Sequence, residues 1–514
     1  MSKTIIIIGA GLAGLSAALQ AAENGCNVKL VSSLPSERAQ SVMAEGGINA
    51  ALNTKDENDS PEEHFTDTIK AACGLADPNA VWGMTQAAPE LVHWLLKLGV
   101  KFNMSGYDDV DLRNFGGQKK KRTAFAQSDT GKQIMTAMID AVRRKEASGM
   151  VERFSHHSFL TLRLCGNICC GCVIRDEYSQ ETVELPGDAV IVATGGMHGL
   201  FGNTTGSLSN TGEVTAELFR LGVPLANGEM IQYHPTTVKC GGKRMLISEA
   251  ARGEGGRLFA MKDGKQWYFM EEKYPELGNL MPRDITAREI WKVSHESEVF
   301  LDMTEISEEI ISNKLSGLAD DCMTYLHKDI RKEPVSVLPG IHYFMGGILV
   351  DEQHRTPIQN LCAAGECCAQ YHGANRLGGN SLLGALYGGR VAAKSACEQA
   401  DVVDLSCATQ IDFPPASQIS EIKQLNKVMQ ETMGVVRNEN MLLNGIQTVQ
   451  ALTGNLPLLG MAVLKSALAR KESRGAHWRE DYPKSNDDDY LKTTVARFDG
   501  KQIQISFVPV PERR

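Results

Sequence analysis

Residues 4–14 read Thr4-Ile5-Ile6-Ile7-Ile8-Gly9-Ala10-Gly11-Leu12-Ala13-Gly14, and this run decides the fold. A short, apolar stretch suits a strand buried on both faces, and it passes directly into three glycines at G-x-G-x-x-G spacing. A helical pattern follows to Asn24, and a second strand is expected from Asn27 to Val31. Each glycine has a task. Gly9 permits the tight turn, Gly11 lets backbone approach a pyrophosphate, and Gly14 lets the helix pack on the strand. The phosphates would face the amides and the positive end of the helix, with Leu12 and Ala13 in its first turn. The strand–turn–helix context makes this a dinucleotide-binding unit. Ser32 and Ser33 end the second strand, where a carboxylate usually holds the ribose hydroxyls. The Ser32 hydroxyl can accept that bond more weakly, so this position does not choose between FAD and NAD.

Two later runs make the choice. Asp188 to Val192 is a buried strand closing on Ala193-Thr194-Gly195-Gly196, and it resembles the returning strand of flavoproteins with two dinucleotide domains. Leu361-Cys362-Ala363-Ala364-Gly365-Glu366 is another strand ending in Gly-Glu. A cofactor strand so far along the chain makes the first domain discontinuous, with an insertion between about Gln232 and Ile341. Beyond residue 405 helical patterns dominate (Gln418 to Met433, Met441 to Leu452), and the chain ends in a strand-like stretch, Gln502 to Val508.

Bulk properties exclude other classes. A net charge of −9 over 514 residues argues against nucleic acid as a partner. The one basic run, Lys119-Lys120-Lys121-Arg122, reads as a solvated loop. No apolar run of 18 residues occurs, so no direct membrane span is expected; any membrane association would come through another subunit. Thirteen cysteines, an odd number, without an export signal suggest a reducing, cytoplasmic setting rather than a disulfide framework. Cys165, Cys169, Cys170 and Cys172 raise the question of a metal, but their segment reads as a hairpin turning at Gly166-Asn167. Cys170 and Cys172 would share one strand face there as small apolar residues, so no metal site is expected.

Several motifs in series then match one family. They are Ala44-Glu45-Gly46-Gly47, Phe115-Gly116-Gly117, Arg122-Thr123-Ala124-Phe125, Gln232-Tyr233-His234-Pro235-Thr236 and Ser248-Glu249-Ala250-Ala251-Arg252-Gly253-Glu254. Pro282-Arg283-Asp284, His342-Tyr343-Phe344-Met345-Gly346-Gly347, His372 to Leu383 and Glu472 to His477 follow in order. The chain resembles the flavoprotein subunit of succinate dehydrogenase and fumarate reductase. That resemblance implies an α/β fold: a Rossmann-like FAD-binding domain (1–232 and 342–405), an inserted α+β capping domain (233–341) and a C-terminal helical domain (406–514). It implies interconversion of fumarate and succinate by hydride transfer at flavin N5. His234, Ser248, His342 and Arg376 would bind the carboxylates of the C4 dicarboxylate, and Arg283 would exchange the proton, served by Glu249 and Arg252. Along FAD would lie Gly9, Gly11, Gly14, Gly46, Gly47, Thr194 and Gly195. Glu366 would hold the ribityl hydroxyls, Glu213 the adenosine side, and Ser381-Leu382 would approach the ring at a helix N-terminus. The family also implies an iron–sulfur partner subunit, with a membrane anchor beyond it, on the cytoplasmic face of the inner membrane.

One position departs from the pattern. The family's histidine that bonds covalently to flavin precedes the Ala-Glu-Gly-Gly segment; here Gln40 stands there, followed by Ser41 on the cofactor side, and an amide is not a nucleophile. FAD is therefore expected to be tight but non-covalent, which favours fumarate reduction over succinate oxidation. L-Aspartate oxidase, a non-covalent relative, is the nearest alternative. A reductase of another α,β-unsaturated acid and a flavin-carrying interaction subunit with an idle site are the others.

Overall fold

The apolar run at residues 4–8 becomes the middle strand of a five-stranded parallel sheet in the computed structural model, which describes residues 2–106, 109–399, 413 and 418–514. Across the sheet the order is Leu361–Ala363, Ala189–Val192, Thr4–Ile8, Asn27–Ser32, Val151–Ser155, all parallel. Ile5 to Ile8 are at most 3% exposed because both faces of the sheet are covered, which is why the strand reads as unbroken isoleucine. The first two strands flank the helix Leu12–Glu23, one residue shorter than the pattern, and the second strand runs one residue further, to Ser32. Chain order reverses between Thr4–Ile8 and Ala189–Val192, so a crevice opens beyond their carboxyl ends. Close packing there is possible only with glycine. A Cβ on Gly9, at φ +110°, would lie 2.3 Å from the Ala193 carbonyl oxygen, and one on Gly14 would lie 1.8 Å from that of Gly9.

The segment between Ile231 and Phe344 builds its own sheets: Lys243–Leu246, Ile231–Cys240 and Leu338–Phe344, then Lys265–Trp267, Arg257–Lys262, Val299–Asp302 and Val335–Ser336. It has a separate core around Ile247, Leu258, Leu301 and Ile330. The helices Ile419–Thr432, Glu439–Val449 and Asn455–Ala469 pack through Leu425, Met429 and Leu459 onto Phe201, Phe219 and Phe344. The expected boundary at residues 405–406 lies outside the described residues.

One local reading is extended and two are corrected. The strand-like tail, Ile503–Pro509, is half of a hairpin with Lys492–Phe498, which also pairs with Leu225–Ala226 and so stitches the chain's end onto earlier strands. Arg122 is not solvated: it is fully buried, bonded to Asp59 at 2.8 and 3.1 Å and to Asp67 at 2.9 Å, while Lys119 and Lys121 stay exposed. Stranding either charge there would cost about 3–5 kcal/mol. The hairpin does turn at Gly166-Asn167, between His157–Cys165 and Ile168–Asp176. A register shift beside Gly171, at φ +143°, then puts Cys169 and Cys172 into one apolar cluster, leaving Cys170 to donate its thiol to the Arg163 carbonyl. Among the described residues eleven cysteines are free thiols, and Cys165 is disulfide-bonded. Among the described residues no helix is long and apolar enough to cross a membrane.

The Glu472 to His477 motif is architectural. Arg470 bridges Glu229 and Glu472 at 2.7 Å each, Arg474 adds a bond to Glu472 at 2.8 Å, and His477 faces Arg437 at 2.9 Å, all in the interior.

Candidate active site and cofactor cleft

A cavity of about 550 Å³ starts at the Gly9–Gly14 turn and ends against the inserted segment. Its walls include every expected cofactor position except Gly14, which packs beneath: Gly9, Gly11, Leu12, Ala13, Ser32, Gln40, Ser41, Gly46, Gly47, Thr194, Gly195, Glu213, Glu366, Ser381 and Leu382. The helix Leu12–Glu23 presents its N-terminus to this space with no capping side chain at Gly11 and no acid in its first turn. Ser41 Oγ reaches in, accepting from Leu12 N–H at 3.3 Å. Unsatisfied first-turn amides facing a cavity suit a pyrophosphate. Ser32 Oγ is buried without a partner, as a group waiting for a ribose hydroxyl would be. A second helix, Asn380–Gln399, points its N-terminus at the far end, again without an acid in the first turn. Glu366 is held by the Phe344 N–H at 3.0 Å. The residues present fit an FAD.

At that far end the short helix Glu249–Gly253, with Ser248 at its N-cap, faces the helix that begins at Arg283. Arg283 donates to Glu249 Oε2 from Nε at 2.8 Å and from Nη2 at 2.6 Å. Arg252 Nη2 lies 3.4 Å from Glu249 Oε1, which also accepts from Gly116 N–H at 3.2 Å. Cavity, Arg283, Glu249 and Arg252 thus stand in a row; Arg252 is the one expected catalytic residue that does not reach the cavity wall. Burial alone would raise the Glu249 carboxyl, but Arg283 and Arg252 hold it below its ordinary value. His234, His342, Ser248 and Arg376 line the same end. The imidazoles of His234 and His342 meet edge to face at 5.2 Å. Burial, and Arg283 beside them, push both well below the usual histidine range, so both are neutral. Arg376 stacks 4.4 Å over the Tyr343 ring, makes no ion pair among the described residues, and is pushed down to about 9 by burial and by Arg283.

Two further residues at this site stood in the quoted motifs without an expected role. Gln232 accepts from Arg283 Nη1 at 3.1 Å and donates to Asn375 Oδ1 at 2.9 Å and the Arg376 carbonyl at 2.8 Å, tying the two arginines into one frame. Its place two residues before His234 on a strand, and so on the same face, was the available clue. Glu45 lines the cavity with Oε2 buried and unpartnered. Burial, then Asp321, raises its carboxyl to about 8. A raised carboxyl binds more protons in the fold than in the unfolded chain. Its stabilising contribution is full below pH 4.5 and lost as pH rises through about 8. The thermal midpoint of the flavin-loaded protein should therefore fall over that window, with a shallower fall in Glu45→Gln; an unchanged slope would refute the assignment.

A Rossmann-like cleft shaped for FAD and closed by buried cations defines an FAD-dependent oxidoreductase. Residues 4–382 match the FAD binding domain family, and residues 452–513 match the one described as fumarate reductase flavoprotein C-term. The chain belongs to the succinate dehydrogenase/fumarate reductase flavoprotein family. The succinate dehydrogenase flavoprotein subunit of Bacillus subtilis is 38% identical to it over 576 residues, covering 100% of this chain and 98% of that one. The 8-methylmenaquinol:fumarate reductase flavoprotein subunit of Wolinella succinogenes is 32% identical, covering 100% and 92%. A solved structure of E. coli quinol fumarate reductase superposes with a TM-score of 0.90 at 27% identity, covering 99% and 97%.

Proposed function

We propose that this chain is the catalytic subunit of a fumarate-reducing enzyme, converting fumarate to succinate with Arg283 as the proton donor. One observation carries the reading: Arg283, Arg252 and Arg376 against Glu249 give the closed end of the cleft a net charge of +2, matched to a dicarboxylate dianion. Arg376 offers a planar fork to one carboxylate, and Ser248, His234 and His342 offer hydrogen bonds to both. When bound along the Gly9–Gly14 turn and the Asn380 helix end, FAD would supply the hydride at N5. Arg283 holds its proton toward the substrate carbon, and Glu249, between two guanidiniums, returns one to it from Arg252. Burial of the whole row excludes water from the proton path. Residues 1–232 and 342–405 serve as the FAD domain, 233–341 as the cap and 406–514 as the C-terminal domain. Electrons would arrive through an iron–sulfur subunit, with a membrane anchor holding the assembly at the cytoplasmic face. FAD is bound non-covalently, with Gln40 at the family's histidine position.

Purified protein supplied with reduced viologen should consume fumarate, and should give no peroxide with L-aspartate. Aspartate-dependent peroxide would turn the reading to an amino-acid oxidase. Faster turnover of a different enoate would move the substrate, and no turnover of any enoate would leave an idle flavin carrier.

A further inference from the structure

His234 and His342 stand on the same wall, yet their inner nitrogens are held differently. His234 Nδ1 lies 3.0 Å from the Thr236 carbonyl oxygen and 3.3 Å from the Thr236 N–H. An acceptor and a donor at similar range tolerate the ring proton on either nitrogen. His342 Nδ1 instead meets the hydroxyl of Thr205 at 2.8 Å. That hydroxyl has one proton and two acceptors within reach, His342 Nδ1 and the Ile341 carbonyl oxygen at 3.4 Å. The carbonyl already receives the backbone N–H of Thr205 at 3.0 Å, so the shorter contact, to Nδ1, takes the hydroxyl proton. A neutral imidazole carries one N–H. With Nδ1 accepting, that hydrogen sits on Nε2, the nitrogen left for the cavity.

We propose that Thr205 is a positioning residue for dicarboxylate binding: its hydroxyl donates to His342 Nδ1 and holds His342 as the Nε2–H tautomer, which can donate to a substrate carboxylate. The opposite tautomer would present a lone pair to an anion, and the contact would turn repulsive. Thr205 lies on a loop already tied to the cofactor cleft, because Ser207, two residues on, donates its N–H to Gln40 Oε1 at 2.6 Å. This role rests on the fumarate reading above, but the tautomer can be measured without any substrate.

The experiment uses flavin-loaded protein labelled with ¹⁵N-histidine, with the His342 signals assigned by their loss in His342→Gln. In the unaltered protein Nδ1 should resonate as a lone-pair nitrogen and Nε2 as an N–H. Thr205→Val, which keeps the shape and removes the hydroxyl, should mix or invert the two, and Thr205→Ser should restore them. The His234 signals should not move in either variant. In parallel, the KM for fumarate should rise roughly tenfold in Thr205→Val, the loss of one hydrogen bond to a charged group. It should return in Thr205→Ser, with kcat changed far less. An Nδ1–H tautomer in the unaltered protein, or a Thr205→Val spectrum identical to it, overturns the assignment. A lost tautomer with an unmoved KM overturns the role in binding. A clean Nε2–H signal in a protein that reduces no fumarate would sink the dicarboxylate reading and leave the tautomer assignment standing.

Discussion

Arg283→Gln is expected to lower kcat for fumarate reduction by about 10²–10⁴-fold, the usual reach of a positioned acid, while FAD content stays unchanged. The guanidinium reaches Glu249 with two nitrogens and Gln232 with a third, so its orientation is fixed before substrate arrives. Among the described residues no other cation lining the cavity is in hydrogen-bond contact with Glu249: Arg252 stands behind it, and Arg376 stacks on the Tyr343 ring. Arg283→Lys should fail almost as badly, because a single ammonium on a flexible stem cannot hold the carboxylate and the amide in one plane. Reading kcat and KM separately decides the role. A loss confined to KM would make Arg283 a carboxylate clamp, whereas a loss in kcat and kcat/KM together marks an interaction made in the transition state. Some stability will go too, since Glu249 is left buried with one fewer partner. Flavin content and thermal midpoint, recorded on the same sample, separate that loss from the chemical one.

The cofactor half of this site was legible because its chemistry is made by backbone. A turn that must approach a phosphate needs glycine at fixed spacing, and an unbroken run of isoleucine needs both faces of its sheet covered, here by helices on one side and largely by the cysteine hairpin's strands on the other. Such constraints are local, so residues 4–14 carried them openly. The side chains proposed for catalysis and substrate binding come from segments up to 144 residues apart and were proposed only through resemblance; no periodicity would unite Gln232, Glu249, Arg283 and Arg376. Arg122 was misread for a related reason. A run of three lysines and an arginine looks solvated until Asp59 and Asp67 fold against its last member, and nothing local announces that. The cysteine hairpin failed at one residue: Gly171 shifts the register, and beyond it the alternation changes face. Thr205 gave no signal at all, and Glu45 only its place in the Ala44–Gly47 motif. One acts by bonding to a ring 137 positions away, the other through burial and a neighbouring acid from the inserted segment.

Acid denaturation of the purified yellow protein should leave all of its flavin in the supernatant. The carboxamide of Gln40 lines the cleft, but its oxygen already accepts the Ser207 N–H, and an amide nitrogen does not attack a flavin methyl group. His64, the first histidine of the chain, cannot stand in: it is fully buried, bonded to Asn380 at 2.9 Å, and away from the cavity wall. A flavin lacking an electron-withdrawing ring bond is the stronger reductant, so fumarate reduction should outpace succinate oxidation in the same preparation. Flavin in the pellet would assign the bond to another nucleophile on the wall, such as Cys240 or Tyr325, and would remove the reason for a preferred direction. Gln40→His supplies the converse. If the geometry around Ser207 accepts an imidazole, the variant should carry flavin into the pellet, and its ratio of succinate oxidation to fumarate reduction should rise. A variant that binds flavin covalently without moving that ratio would show that the direction is set elsewhere, by the cations and helix end around the ring rather than by the missing bond.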